Sequence, residues 1–138
     1  MIKHKNYNPV IHLTYLNKLY PDFRWSWKKG QCVITGTLQP TERSPKYQIE
    51  ITYKQGMIPS TKVLDPPIDK NAPHVFPEDG TLCLFHKSDF QWNEKRKIAK
   101  TILPWTSAWL YFYEVWLETG IWFGEEYPHI YSKERQNM

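Results

Sequence analysis

Cys83 is the residue of this chain best suited to covalent chemistry. It stands in "TLCLF", nine residues after His74 and three before His86. The thiolate is the reactive form of cysteine, and at an ordinary pKa of about 8.5 only a few per cent of it exists at neutral pH. A nearby cation, imidazolium or helix N-terminus increases that fraction. The other cysteine, Cys32, opens the β-branched run "CVIT" and reads as a small hydrophobe packed in a strand. The two thiols form no C-x-x-C and have no histidines at ligand spacing, so no metal site and no cofactor are expected. Neither His74 nor His86 matches the spacing of a Cys–His protease signature, which leaves a papain-like hydrolase unsupported.

Taken alone, Leu82-Cys83-Leu84 reads as a short buried segment with an inert thiol. What precedes it argues otherwise. From Asp65 to Gly80 the chain runs "DPPIDKNAPHVFPEDG", with four prolines. Proline cannot donate to a ladder, so this stretch reads as ordered loop. Long loops without secondary structure are uncommon in small domains and usually functional.

The elements that would position this loop can be read on either side of it. Asn8-Pro9 reads as a helix start, with Val10, Leu13, Leu16 and Tyr20 at helical spacing and Pro21 as the stop. That predicts a helix over roughly 8–20, with His12 and Asn17 facing outward. "QCVITGTLQP" (31–40) predicts a strand. "KYQIEITYK" (46–54) predicts another, with Tyr47, Ile49, Ile51 and Tyr53 on one face. "ERSP" (42–45) is the turn between them. "STKVLDPP" (60–67) predicts a further short strand after a turn at 56–59. In the last third, Pro104 suits a helix start and Gly120 its left-handed cap. Trp105, Trp109, Phe112 and Trp116 share a stripe there, widened by Ala108, Val115 and Leu117. Residues 120–129 read as an aromatic loop, and 131–138 as a frayed tail. This order of elements indicates an α+β fold, a helix packed on an antiparallel meander, in one domain over 1–138.

Composition narrows the function classes. The chain has 138 residues, 41% hydrophobic and 23% charged, with a net charge of +4. No apolar run reaches about 18 residues and the N-terminus has no apolar signal core, so a cytoplasmic protein without a membrane span is expected. The basic residues are scattered except in "NEKRKIAK" (93–100), which reads as a solvated face, and no nucleic-acid motif accompanies them. Seven tryptophans imply a dense core or an adhesive surface.

The run "DPPIDKNAPHVFPEDGTLCL" (65–84) resembles the active-site segment of ubiquitin-conjugating enzymes. That family carries a Pro-Pro strand end, a His-Pro-Asn motif, a Gly turn and a cysteine in an Ile/Leu-Cys-Leu setting, with a tryptophan a few residues on. Here Trp92 lies nine residues beyond Cys83. The order helix, meander, active-site loop, helix also fits, so the resemblance covers roughly residues 8–118. It implies a ubiquitin-conjugating-like fold with a Pro-rich active-site loop. It also implies a cysteine acyltransferase in which Cys83 is the thioester nucleophile, His74 and His86 assist, and Trp92 packs under the loop. One departure is plain: His74 is followed by Val75 and Phe76, not Pro-Asn. The family's oxyanion asparagine is missing, leaving backbone N–H groups, His74, His86 or Asn93 as substitutes.

The ending "WLETGIWFGEEYPH" resembles a Trp/Gly/His tail of prokaryotic relatives found in CBASS anti-phage operons. That resemblance implies a protein partner joined through its C-terminus, a cGAS-like nucleotidyltransferase. No nucleotide-binding Gly loop is present, so activation would come from a separate activating enzyme or from the partner itself. Two other classes compete with the transferase. One is a catalytically inactive scaffold of the same fold, which the missing asparagine suits. The other is an unrelated α+β protein with a core cysteine and an aromatic interface.

Overall fold

The computed structural model describes residues 9–85 and 96–124. Helix α1 (Pro9–Leu19) is followed by strands β1 (Arg24–Lys28), β2 (Gln31–Leu38), β3 (Tyr47–Tyr53) and β4 (Ser60–Asp65). A 3₁₀ turn (Ile98–Lys100) then leads into helix α2 (Ile102–Thr119). The four strands form one antiparallel sheet in the order β1-β2-β3-β4, a meander.

The period-2 pattern of β3 decides which face is inside. Tyr47, Ile49, Ile51 and Tyr53 are buried, while Gln48 is exposed and Glu50 and Thr52 are half-buried. Their β2 partners on the same face are Leu38, Gly36, Ile34 and Cys32. Gly36 is there because Phe23 is. A Cβ on Gly36 would lie 2.4 Å from the Phe23 ring, so only glycine lets that ring cover the strand. Both helices pack on this face and join one core: His12 of α1 meets Tyr53, and Glu114 of α2 meets Tyr47. The Glu114 carboxylate accepts from Tyr47 Oη and Ser44 Oγ, each at 2.8 Å. Burial first, then that hydrogen bond, pushes the Tyr47 phenol well above its ordinary value.

Several expectations need correcting. His12 does not face outward: it is 2% exposed, edge-on to Tyr53 at 4.8 Å, with Nδ1 accepting the Ile98 N–H at 3.4 Å. Val10 is exposed instead. The buried stripe of α1 is rotated toward 12, 13 and 16, because a hydrogen-bonded imidazole is tolerated inside where a periodicity count treats it as polar. Asn17 is exposed as expected.

Helix α2 is rotated likewise. It buries Ile102, Leu103, Thr106, Trp109, Leu110 and Tyr113, while Ala108 and Leu117 are exposed and Trp105, Phe112 and Trp116 half-buried. It begins two residues before Pro104, which sits in the first turn where its missing N–H costs nothing. It ends at Gly120 in the left-handed conformation, as expected.

Strand β1 has no counterpart in the sequence-based expectation. Its five residues "RWSWK" are all exposed, and Lys29-Gly30 turns it into β2 with φ of 51° and 81°. Positive φ at both central residues is the type I′ signature that suits a two-residue hairpin. The basic run is also less solvated than expected. Ile98 and Ala99 are buried, and Lys97 and Lys100 lie over the Tyr15 ring at 5.5 and 4.7 Å. Asn8, residues 93–95 of that run, and the tail 131–138 lie outside the described residues.

Candidate active site around Cys83

Beyond β4 the chain passes a cis Asp65–Pro66 peptide and carries no helix or ladder strand up to Phe85. It is nevertheless pinned. The Asp69 N–H donates to Tyr113 Oη (2.8 Å), fixing the start of the segment to α2. Asp69 Oδ1 accepts the Asn71 N–H (2.8 Å), an Asx turn. From His74 the chain makes a short irregular hairpin. The Phe76 N–H donates to the Thr81 carbonyl (2.9 Å), Val75 and Leu82 form an isolated bridge, and the Cys83 N–H donates to the His74 carbonyl (2.8 Å). Asp79 closes the tip by accepting from both the N–H (3.0 Å) and the hydroxyl (2.7 Å) of Thr81. The Leu82 N–H reaches the Thr61 carbonyl (2.9 Å), tying the return arm to β4.

Within "LCL" the three residues differ. Leu82 is 5% exposed and belongs to the core. Cys83 and Leu84 are half-buried, and Leu84 packs at the core's margin. The Cys83 thiol reaches forward along its own chain to the Phe85 carbonyl, 3.7 Å away. Phe85 in turn meets Trp105 of α2 edge-on at 5.6 Å. The cysteine is therefore held by its backbone while its side chain keeps partial access to solvent. Cys32 is the opposite case: 1% exposed, with burial pushing its thiol pKa up. Both cysteines are free thiols.

His74 adopts φ 62°, a conformation few non-glycine residues take. Its carbonyl accepts a second bond, from the Trp109 indole N–H at 3.1 Å. Its ring stacks on Trp122 at 4.2 Å with 18° between planes. Trp122 also contacts Trp109 (5.5 Å) and Phe112 (6.0 Å). Trp109 is itself stacked on Tyr113 at 5.3 Å and 13°. The aromatic side of α2 thus serves as the platform under the Cys83 segment.

Of the residues singled out in the sequence, Cys83 and His74 come together through backbone hydrogen bonding. His86, Trp92 and Asn93 lie outside the described residues. Trp105, Trp109, Tyr113 and Trp122 belong around the segment and had been assigned only to the core helix or the aromatic loop. Aromatic density was the available signal; a stacking partner more than forty residues away leaves no local spacing to read.

This arrangement offers a half-buried cysteine on an ordered return arm, its backbone N–H held by the His74 carbonyl. Among the described residues no helix is long and apolar enough to cross a membrane. No curated protein matches the chain. A family model does, over residues 12–136, which take in most of α1, the whole sheet, the Cys83 segment and α2. The chain therefore belongs to the family described as Type II CBASS E2 protein.

Proposed function

We propose that the chain is a cysteine acyltransferase of the ubiquitin-conjugating kind, with Cys83 as its nucleophile. The supporting observation is the contrast between thiols: Cys83 is half-buried on an irregular arm fixed by the His74 carbonyl, whereas Cys32 is sealed in the sheet. The Cys83 thiolate attacks the activated C-terminal carbonyl of a protein partner. A C–S bond forms and the activating group departs with its electron pair. An amine, such as a lysine side chain, then attacks the thioester carbonyl. The C–N bond forms, the C–S bond breaks, the thiolate is regenerated and the amine proton passes to solvent or a nearby base.

A thioester is already activated, so positioning and oxyanion stabilisation supply most of the catalysis required. In this scheme backbone N–H groups, His74, His86 or Asn93 take the place of the absent oxyanion asparagine, and Trp92 supports the loop. Membership of the CBASS family supports a partner from the same operon, and the sequence resemblance makes that partner a cGAS-like nucleotidyltransferase. Activation comes from a separate enzyme or from the partner.

The test is a non-reducing gel of the wild-type protein and Cys83→Ser incubated with that nucleotidyltransferase, with and without the operon's other proteins. A thiol-sensitive adduct with wild type, replaced by a thiol-resistant ester or by nothing with Cys83→Ser, is the expected result. Absence of any adduct with wild type, together with a Cys83 inert to alkylating agents, sinks the transferase and leaves the scaffold.

A further inference from the structure

We propose that Trp122 is a positioning residue for Cys83, acting as a latch through His74. The inference rests on the reading of Cys83 as the nucleophile and adds the device that holds it. The His74 carbonyl is the anchor of the Cys83 backbone N–H (2.8 Å) and of the Trp109 indole N–H (3.1 Å). That carbonyl points correctly only while His74 stays at φ 62°, a conformation that persists when its surroundings over-determine it. Its ring stacks nearly parallel on Trp122, 4.2 Å between ring centroids at 18°. A stacked pair of this kind is a favoured aromatic arrangement and ties the His74 ring to the indole.

Trp122 is not part of α2, which ends at Thr119; it lies in the segment just past the Gly120 cap. The segment is pressed onto the site by its own glycine. A Cβ on Gly124 would stand 2.7 Å from Trp122 Nε1 and 3.0 Å from the Phe112 ring. The backbone at 124 thus packs directly on the indole and clamps it between Phe112 and His74. The chain past α2 therefore returns to the cysteine and holds, from outside the hairpin, the carbonyl on which the hairpin closes.

The test follows both thiols at once. Wild type, Trp122→Ala, Trp122→Phe and Gly124→Ala are treated with iodoacetamide, and the labelling of Cys83 and Cys32 is resolved by peptide mass spectrometry. Thioester formation with the nucleotidyltransferase is measured on the same samples. Loss of the latch is expected to raise the Cys83 labelling rate severalfold, leave Cys32 protected, and slow thioester formation by as much as roughly 10²-fold, the cost of a misplaced reacting group. Trp122→Phe, which keeps a ring for His74, is expected to restore most of both values, and Gly124→Ala to follow Trp122→Ala in direction. An unchanged Cys83 rate in Trp122→Ala and Gly124→Ala overturns the latch. So does a parallel rise at Cys32, which means general unfolding. The labelling arm needs no partner. A latch that appears in labelling while wild type forms no thioester leaves the latch standing and counts against the acyltransferase with that partner alone.

Discussion

The chain holds the same functional group in two environments. Cys32 sits in β2, opposite Tyr53 in a regular ladder, 1% exposed. Cys83 sits on the return arm of an irregular hairpin, half-buried, with its thiol against a carbonyl 3.7 Å away. The regular region pairs its backbone groups within the sheet and turns one row of side chains into the core. In the irregular region few backbone groups pair with one another, so the segment borrows partners from elsewhere: Thr61 of β4, Tyr113 and Trp109 of α2. Borrowed partners leave the Cys83 side chain half-buried rather than sealed. A thiol inside a ladder cannot be reached without opening the sheet.

The largest expected effect breaks the comparison outright. Cys83→Ser abolishes the thiol-sensitive adduct on a non-reducing gel, whereas Cys32→Ser leaves it. Next comes Ile51→Ala, at 0% exposure. Removing that side chain is expected to cost about 2–5 kcal/mol in urea unfolding and to expose Cys32 to labelling, erasing the difference between the thiols. A sharper and smaller change is Trp109→Phe. It deletes the indole N–H but keeps a ring, and is expected to cost about 0.5–1.5 kcal/mol while altering labelling at Cys83 alone. In the unmodified protein, native-state labelling is expected to favour Cys83 strongly even at pH 9, because Cys32 is 1% exposed and burial pushes its thiol pKa up. Smallest is Lys100→Ala, which removes one cation from the Tyr15 ring. A change within about 1 kcal/mol, with both thiols labelling as in wild type, is expected from a contact this remote from either.

How much was legible varied with how local the cause was. The alternation 47, 49, 51, 53 was read correctly because a strand has a period of two and needs no partner to show it. The Gly120 cap was legible for the same reason, since a left-handed residue at a helix end is a backbone requirement of that position alone. β1 escaped because "RWSWK" has no fully buried residue and its turn, Lys29-Gly30, lacks the usual Asn-Gly form. His12 escaped because hydropathy counts imidazole as polar, while its hydrogen bond to Ile98 lies on a distant part of the chain.

By itself, then, the sequence determined the α+β order of elements, the inner face of β3, the packing role of Cys32 and the family resemblance of the run leading to Cys83. These follow from short-range periodicity, turn chemistry and motif, all written within a few residues. Only the tertiary structure decided which face each helix turns inward, that Trp109 and Trp122 converge on His74, and that the His74 carbonyl anchors Cys83. Those depend on contacts between residues far apart in the chain, and such contacts exist only once the sheet and α2 have brought their partners to the same place.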